Sequence, residues 1–318
     1  MLLIISNSQD VTADYLGTVL KQHRIKFLRL DTDLSLQQMK FYYDGIKPLI
    51  YINRKEYHPE DFTNVWYRRP EHLKHPQFDS SPEGKFILEE WAEALESFLA
   101  CIEKPRWMNH PACNVAASHK IEQLIKAKSF GFRVPDTLVT HDANQLRSFY
   151  GKHNGKIIVK PMASGYIERP EGQRHSQVYT NRVMPDHLDN LDDLTNCPTL
   201  FQEYIEKRCD VRITVVDKHI HAVELTAREP DGLQRCDIRR NNMEDVAYRM
   251  IPLPRDIEQA IKILMGYYGL RFAAIDMAVS LYDDWFFFEV NPNGQWAWMD
   301  LVGKTNIAVS FVNTFSRK

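Results

Sequence analysis

Several features that mark common protein classes are missing from this 318-residue sequence. The five cysteines are odd in number and form no Cys-x-x-Cys pair, which indicates neither a disulfide framework nor a zinc site and favours a reducing compartment. No segment approaches the roughly 20 apolar residues that a membrane span requires. The apolar run over residues 1–6 is too short for a signal-peptide core. We therefore expect a cytoplasmic protein that does not bind a membrane.

Signatures of nucleic-acid binding and of the common phosphate loops are also absent. The formal net charge is −2, with 40 basic and 42 acidic residues, so there is no overall field for a polyanion and we expect no nucleic-acid partner. Neither G-x-x-x-x-G-K-[ST] nor G-x-G-x-x-G occurs, which excludes a Walker-type loop and a dinucleotide fingerprint. Any nucleotide site must therefore be built from other residues.

The composition is that of an ordinary globular protein, with 44% apolar and 26% charged residues. At this length a single core usually stops growing, so we expect two or three packed domains. The residue pattern changes after Pro105, because a long helical pattern has ended and a turn at 109–111 follows. This change predicts a domain boundary near residue 105.

Hydrophobic periodicity predicts an α/β unit at the start of the chain. A strand over 2–6, an amphipathic helix over 11–23 and a strand over 25–31 form a β-α-β pattern, which is typical of an open parallel sheet. Two or three short strands are expected within 41–70, and a long amphipathic helix over 81–101.

The remainder of the chain is predicted to combine helices with further strands. A polar stretch after Pro161, reaching about residue 177, is predicted to be a loop. The other predicted elements are a helix over 119–130, strands over 157–160, 199–205, 211–216 and 219–226, a helix over 255–268, and strands over 273–281 and 285–291.

Two carboxylates occur inside apolar strands, at Asp276 and at Glu289. Burying a charge is costly unless a cation or a partner offsets it. Side chains alternate along a strand, so Glu289 and Asn291 share a face, and an antiparallel neighbour would set Asp276 beside them. Three oxygen donors on one patch suit magnesium. The alternative is that both carboxylates are edge residues that bind arginines.

Three cations are candidates for the same cleft. Lys160 ends a strand at a proline, where its ammonium can leave the sheet as a phosphate ligand or simply face solvent. Lys120 lies in a helix and either reaches the cleft or solvates a helical face. Arg212 lies in an alternating strand, from which its guanidinium can point at phosphate or at the Glu289 cluster.

The segment 200–205 offers backbone groups for a purine edge, and Asp210 follows as an acid for ribose hydroxyls. An acidic loop between strands is the alternative interpretation. His219 and His221 share a strand face, but without a third ligand nearby they predict an exposed hairpin and not a metal site.

Taken in order, these residues resemble the nucleotide and magnesium residues of the ATP-grasp superfamily: Lys120, Lys160-Pro161, Gln202-Glu203-Tyr204-Ile205, Asp210-x-Arg212, Asp276 and Glu289-Val290-Asn291-Pro292. Within that superfamily, four segments are similar to the ligases that mature microviridin-type (graspetide) ribosomal peptides. These are Val65-Trp66-Tyr67-Arg68-Arg69-Pro70, Ser164-Gly165-Tyr166-Ile167, Val178-Tyr179-Thr180-Asn181 and Asp237-Ile238-Arg239.

The resemblance implies a combined α/β and α+β fold with a three-part ATP-grasp architecture. An N-terminal α/β domain would span 1–105, a central ATP-grasp domain 106–200 and a C-terminal ATP-grasp domain 201–318, with ATP between the last two. The implied roles are phosphate binding by Lys120 and Lys160, adenine binding by Gln202, Glu203, Tyr204 and Ile205, ribose binding by Asp210, loop closure by Ser164 and Gly165, Mg²⁺ binding by Asp276, Glu289 and Asn291, and catalysis by Arg212 and Arg239.

The activity implied by the resemblance is an ADP-forming peptide ligase. It would phosphorylate Glu or Asp side chains of a ribosomal precursor peptide and join them to Ser or Thr hydroxyls or Lys amines. A homodimer and a leader contact at the hairpin over 211–228 are implied in the same way. The alternatives are a ligase that adds a free amino acid or small amine to a carboxylate, and a nucleotide-binding protein without turnover.

Overall fold

A computed structural model describes residues 1–75, 81–163, 165–169, 174–240 and 243–316 of the chain. Its helices are α1 (Val11–Gln22), α2 (Pro82–Ala100), α3 (Pro111–Ala116), α4 (Lys120–Ser129), α5 (Ala143–Lys152), α6 (Arg255–Tyr268), α7 (Ala297–Leu301) and α8 (Ile307–Phe315). Its strands are β1 (Leu2–Ser6), β2 (Phe27–Asp31), β3 (Met39–Tyr43), β4 (Pro48–Ile52), β5 (Lys55–Tyr57), β6 (Asn64–Tyr67), β7 (Trp107–Met108), β8 (Thr137–Thr140), β9 (Ile157–Lys160), β10 (Tyr166–Ile167), β11 (Ser176–Gln177), β12 (Asn181–Arg182), β13 (Thr199–Glu203), β14 (Lys207–Val216), β15 (His219–Thr226), β16 (Ala247–Met250), β17 (Phe272–Ser280) and β18 (Trp285–Asn291).

The chain opens with a parallel sheet in the order β2-β1-β6-β7, which confirms the predicted β-α-β unit. Asp10 caps α1 by accepting hydrogen bonds from the backbone N–H groups of Thr12 and Ala13, which are free at a helix start. Strand β7 extends this sheet to residues 107–108, just past the boundary predicted near residue 105. The domain limits stay predictions.

The region between β2 and α2 holds four strands, not the two or three predicted. Strands β3, β4 and β5 form a separate antiparallel sheet, and β6 joins the parallel sheet. Asn53 and Arg54 connect β4 to β5 with φ values of 52° and 65°. Positive φ at both central residues is the backbone of the tightest hairpins, and Arg54 does not signal it in the sequence.

Three antiparallel sheets make up the rest of the described fold. The central sheet has the order β12-β9-β13-β8, the C-terminal sheet has the order β16-β15-β14-β17-β18, and β10 pairs with β11 alone. The predicted strands and helices of this half are present, and α6 begins and ends where predicted. The short strands β10 and β11 lie within the stretch that was predicted to be a loop, and α3, α5, β8, β12 and β16 were not predicted.

Helices cover both faces of the C-terminal sheet. Helices α4 and α6 pack on one face, around Ile261, Leu264 and Ile275. Helix α8 packs on the other face, and its Phe311 also contacts Trp66 of β6, with the ring centroids 5.2 Å apart. Apolar burial of this kind is the main favourable term in folding, so α8 fixes the first sheet against the last. Neither α7 nor α8 was predicted. In the described ranges, no helix is long and apolar enough to cross a membrane.

Candidate nucleotide and magnesium site

A cavity of about 1040 Å³ lies between the central and C-terminal sheets. Of the described residues to which the resemblance assigned a role, the structure brings together around it all but Gly165. Those lining it are Lys120, Lys160, Gln202, Glu203, Tyr204, Ile205, Asp210, Arg212, Arg239, Asp276, Glu289 and Asn291. Their side chains come from α4, β9, β13, β14, β17, β18 and the connecting segments.

Strand pairing places the two carboxylates side by side. Strands β17 and β18 are antiparallel, and Asp276 lies directly opposite Glu289 while Ala274 lies opposite Asn291. Arg212 reaches Asp276 from β14 and donates to its two oxygens at 2.6 and 2.8 Å. Asp276 thus binds an arginine, as the alternative interpretation expected, although it lies on an inner strand. Glu289 pairs with Lys120 and not with an arginine, and both carboxylates line the same cavity.

The negative charge of the pair Asp276 and Glu289 is only partly compensated by the neighbouring cations. Burial raises the pKa of Asp276, and the neighbouring Glu289 raises it further against the effect of Arg212. Burial also acts on Glu289, but Lys120 and Lys160 outweigh it and lower the pKa of that carboxyl. A divalent cation would relieve the repulsion between the two acids, which fits the hard oxygen donors present.

The magnesium prediction depends on two carboxylates and one amide. Within the described part of the chain, no group of three or more His, Cys, Asp or Glu side chains has the arrangement of a metal site. Asn291 also accepts a hydrogen bond from the backbone N–H of Asn293 at 3.0 Å. The remaining coordination would then come from the nucleotide phosphates and water, as is usual for Mg²⁺.

Helix α4 sets Lys120 against the carboxylates. Lys120 Nζ lies 2.8 Å from Glu289 Oε2, at the first residue of the helix. One turn later the buried Gln123 donates to the carbonyl of Val290 at 2.9 Å and accepts from its N–H at 3.0 Å. This double hydrogen bond locks the helix to β18, so Gln123 determines the position of Lys120. The sequence analysis did not identify it.

Lys160 ends β9, where β13 pairs with it at Leu200. Burial lowers its pKa to about 8; Lys120 and Arg239 act in the same direction, while the acidic pair opposes them. The ammonium lies 5.9 Å from the ring centre of Phe288. Such a desolvated cation is suited to an anionic ligand.

Phe288 reaches the cavity through a β-bulge. Asp276 pairs with Glu289 and Met277 with Phe287, which leaves Phe288 without a partner in β17. A bulge re-aims the extra side chain, and the ring lines the cavity near both Lys160 and Lys207. Alternation predicts side-chain faces in regular strands only, so no local pattern indicates that Phe288 lines the cavity.

The predicted purine segment crosses from β13 to β14. Gln202 donates to Thr137 Oγ1 at 2.9 Å, and its buried Oε1 has no hydrogen-bond partner in the described part of the chain. Glu203 accepts from the backbone N–H of Asp136 at 3.3 Å. Tyr204 packs under Arg182, with 4.7 Å from the guanidinium carbon to the ring centre.

Asp210 already has two partners in this structure. Lys207 Nζ lies 2.6 Å from one oxygen and Gln234 Nε2 donates to the other at 2.9 Å. Neither Lys207 nor Gln234 was identified from the sequence. Lys207 reaches Asp210 within β14, past an irregularity between Lys207 and Cys209, and Gln234 reaches it through packing of the segment after β15. The ribose role of Asp210 stays a prediction.

Arg239 and Gly165 lie in segments that connect strands, and of the two only Arg239 lines the cavity. Arg239 binds both oxygens of Asp237, at 2.9 and 2.6 Å, and this contact raises its pKa. Gly165 has a φ of +69°, and a Cβ there would lie 2.7 Å from Pro161 Cγ, so only glycine fits. Gly165 does not line the cavity, and Ser164 lies outside the described residues.

Arg68 anchors the turn that follows Asn291. It is fully buried, lies 3.3 Å from Asp10, and donates to the carbonyl of Gly294 at 3.2 Å and to Gln295 Oε1 at 2.9 Å. Burial lowers its pKa to about 9. The first sheet thus holds the end of the predicted magnesium strand in place.

Comparisons with known proteins identify the family of this chain. The family model of the prokaryotic glutathione synthetase ATP-grasp domain matches residues 122–282, just over half of the chain. The chain therefore belongs to the ATP-grasp family of ATP-dependent ligases. A comparison with curated protein sequences finds no match.

Solved structures extend the similarity to the whole chain. The macrocyclase MdnC from Microcystis aeruginosa MRC, crystallised with the precursor peptide MdnA, is 27% identical, with a TM-score of 0.84 over 99% of this chain and 100% of that one. A RiPP-associated ATP-grasp ligase from Chryseobacterium gregarium, in complex with ADP and a leader and core peptide, is 27% identical, with a TM-score of 0.82 over 99% and 96%. The macrocyclase MdnB from M. aeruginosa MRC, at 24% identity and a TM-score of 0.77 over 100% and 99%, shares the fold.

Proposed function

We propose that this chain is an ATP-dependent ligase that closes rings in a ribosomal precursor peptide. The observation that carries the proposal is its similarity, over almost the whole of both chains, to two ligases crystallised with precursor peptides. The similarity includes the first sheet and not just the nucleotide-binding part. The acceptor would be a Glu or Asp side chain of the peptide, joined to a Ser or Thr hydroxyl as an ω-ester or to a Lys amine as an ω-amide.

The cavity supplies what such chemistry needs. A carboxylate oxygen of the peptide attacks the γ-phosphorus of ATP, the bond from that phosphorus to the bridging oxygen breaks, and ADP leaves with that oxygen. The resulting acyl phosphate is attacked at carbon by the hydroxyl or amine, which loses its proton as inorganic phosphate departs. The first step brings two anions together, and Lys120, Lys160 and Arg212 on the cavity wall stabilise the charge.

Asp276, Glu289 and Asn291 would hold Mg²⁺ in this proposal. When bound, the metal would neutralise charge on the phosphate oxygens. Lys120 and Arg212, which now contact the two acids, would then be released in part toward phosphate. The enzyme needs no nucleophile of its own, since both nucleophiles belong to the peptide.

A ligase for a free amino acid or small amine is the second candidate. The family match itself favours it, because the matching model describes a glutathione synthetase domain. Such an enzyme would use the same nucleotide site and form the same acyl phosphate. A nucleotide-binding protein without turnover is disfavoured, since it has no need to keep Asp276, Glu289 and Asn291 together.

One reaction separates these functions. Purified protein is incubated with Mg-ATP and the Ser/Thr- and Glu/Asp-rich peptide encoded by a short reading frame beside the gene. Formation of ADP with a peptide lighter by whole water masses supports ring closure. Added amino-acid mass supports the second candidate, and nucleotide binding without ADP formation supports the binding protein. We further propose that the protein is a cytoplasmic homodimer and that it binds the peptide leader at the hairpin over 211–228. Size-exclusion chromatography tests the dimer, and a binding measurement with the leader peptide tests the contact.

A further inference from the structure

Arg69 is the one residue from the segment 1–105 that lines the cavity, among the residues that the structure describes. It follows the end of β6, and its carbonyl accepts a hydrogen bond from Asn7 Nδ2 at 2.6 Å. Its neighbour Arg68 is buried and holds Gln295. The backbone at Arg69 is therefore fixed on both sides, while its side chain extends into the cavity.

Arg69 has no acidic partner among the described residues. Four ion pairs are formed on the cavity wall: Lys120 with Glu289, Lys207 with Asp210, Arg212 with Asp276, and Arg239 with Asp237. Arg69 forms no such pair within the described part of the chain. Asp10 is the acid whose charge acts on Arg69, and it is already paired with Arg68. Arg69 is exposed to the cavity.

The surroundings of Arg69 place it near the acidic pair. Burial lowers the pKa of Arg69, and the like charge of Arg212 adds to this effect against the pull of Asp10. Arg212 itself holds Asp276 and the carbonyl of Gln295. An unmatched guanidinium is thus directed at the end of the cavity where the predicted magnesium residues lie, away from the purine segment.

We infer that Arg69 binds the acceptor carboxylate and positions it for attack on the γ-phosphorus. The inference rests on the proposed function, in which a carboxylate is the second anion of the reaction. In the proposed function, Lys120 and Lys160 are the cations of the cavity that bind the phosphates. A guanidinium presents a planar fork of donors that matches both oxygens of a carboxylate. Because Arg69 comes from the first sheet, it holds the acceptor independently of ATP.

The test uses protein saturated with Mg-AMPPNP and two probes, the peptide encoded beside the gene and its counterpart with Gln in place of the reacting Glu. Wild type is expected to bind the Glu peptide at least about tenfold more tightly than the Gln peptide. Arg69→Gln should bind both equally, with unchanged affinity for AMPPNP. Arg54→Gln is the matched control, since Arg54 is exposed in the hairpin between β4 and β5. Its discrimination should equal that of wild type.

Two results overturn the inference. One is that Arg69→Gln still distinguishes the two peptides as wild type does; the other is weakened AMPPNP binding, which would assign Arg69 to the γ-phosphate. If Arg69→Gln does not fold, Arg69→Lys replaces it; this variant keeps the charge without the fork, so partial discrimination supports the role and full discrimination opposes it. Failure of the proposed function has a different result: wild-type protein then neither binds nor converts the peptide. In that case the inference about Arg69 is wrong as well.

Discussion

The two walls of the cavity differ in how their charges are balanced. On the wall formed by β14, β17, β18 and α4, the acids and cations are already in contact, as with Glu289 and Lys120 at 2.8 Å. On the wall contributed by the first sheet, Arg69 has no acidic partner among the described residues, while its neighbour Arg68 is buried against Asp10 behind it. On the first wall, the acids can exchange their contacts with Lys120 and Arg212 for Mg²⁺, and these cations can then bind phosphate. On the second wall, Arg69 can bind an anion that comes from a ligand.

The largest effect is expected on the free energy of unfolding, at Arg68, which joins the first sheet to the turn after β18. Arg68→Met removes the cation from a fully buried pair and leaves Asp10 and the carbonyl of Gly294 without it. Losing one partner of such a pair costs about 3 kcal/mol or more of unfolding free energy, measurable by urea denaturation. Adding Asp10→Asn should recover part of the loss, because the orphaned charge is then gone while the amide still caps α1. An unchanged midpoint in Arg68→Met would contradict the anchoring role.

The balanced wall is tested by Glu289→Gln. The amide is nearly isosteric, so the fold should be kept, but the loss of the anion removes a predicted magnesium ligand and the partner of Lys120. We expect ADP formation to fall by at least about a hundredfold, with thermal unfolding close to wild type. The control is Glu90→Gln on the exposed face of α2. Wild-type turnover in Glu289→Gln would remove Glu289 from the metal site.

A smaller, pH-dependent effect is expected at Lys160. Its pKa of about 8 means that the ammonium is present below pH 8 and is lost above it. If a bound phosphate keeps Lys160 protonated, AMPPNP affinity should fall about tenfold between pH 7 and pH 9. Calorimetric titration across this range measures it, and Lys160→Met should bind weakly with a flat profile. Lys85→Met, exposed on α2, should titrate like wild type.

The same pKa has a consequence for stability. Between pH 8 and about 10.5 the unfolded chain binds the proton that folded Lys160 has released, so this residue's contribution makes the free energy of unfolding rise with pH over that window. The slope contributed by Lys160 should disappear in Lys160→Met, as followed by urea denaturation at several pH values. An identical pH dependence in both proteins would mean that the ammonium is not desolvated.

The smallest effect on AMPPNP affinity is expected at Phe288, the bulge residue of β18. Phe288→Leu keeps an apolar side chain but removes the ring near Lys160 and Lys207. Cation–π contacts of this kind are worth about 0.5–1 kcal/mol at exposed sites, so AMPPNP should bind a few times more weakly. Phe86→Leu, exposed on α2, is the control. Tighter binding in Phe288→Leu would show that the ring obstructs the cavity instead.

The sequence predicted the elements that carry strong periodicity and the residues that carry unusual chemistry. Helix α6 and strand β18 lie where the pattern placed them, because a 3.6-residue or two-residue period is a local property. Asp276 and Glu289 stood out because each interrupts an apolar strand. The short elements β8 and α7 were missed, since a few residues do not define a period.

What the sequence determined by itself was thus the set of acids and cations, and their order along the chain. Only the tertiary structure decided which of them meet. Gln123 clamps β18, the bulge turns Phe288 toward the lysines, and Gln234 donates to Asp210. Each of these contacts joins segments whose packing no local pattern encodes. The same holds for Arg68 and Arg69, adjacent in the chain, where packing against the last sheet buries one guanidinium and leaves the other facing the cavity.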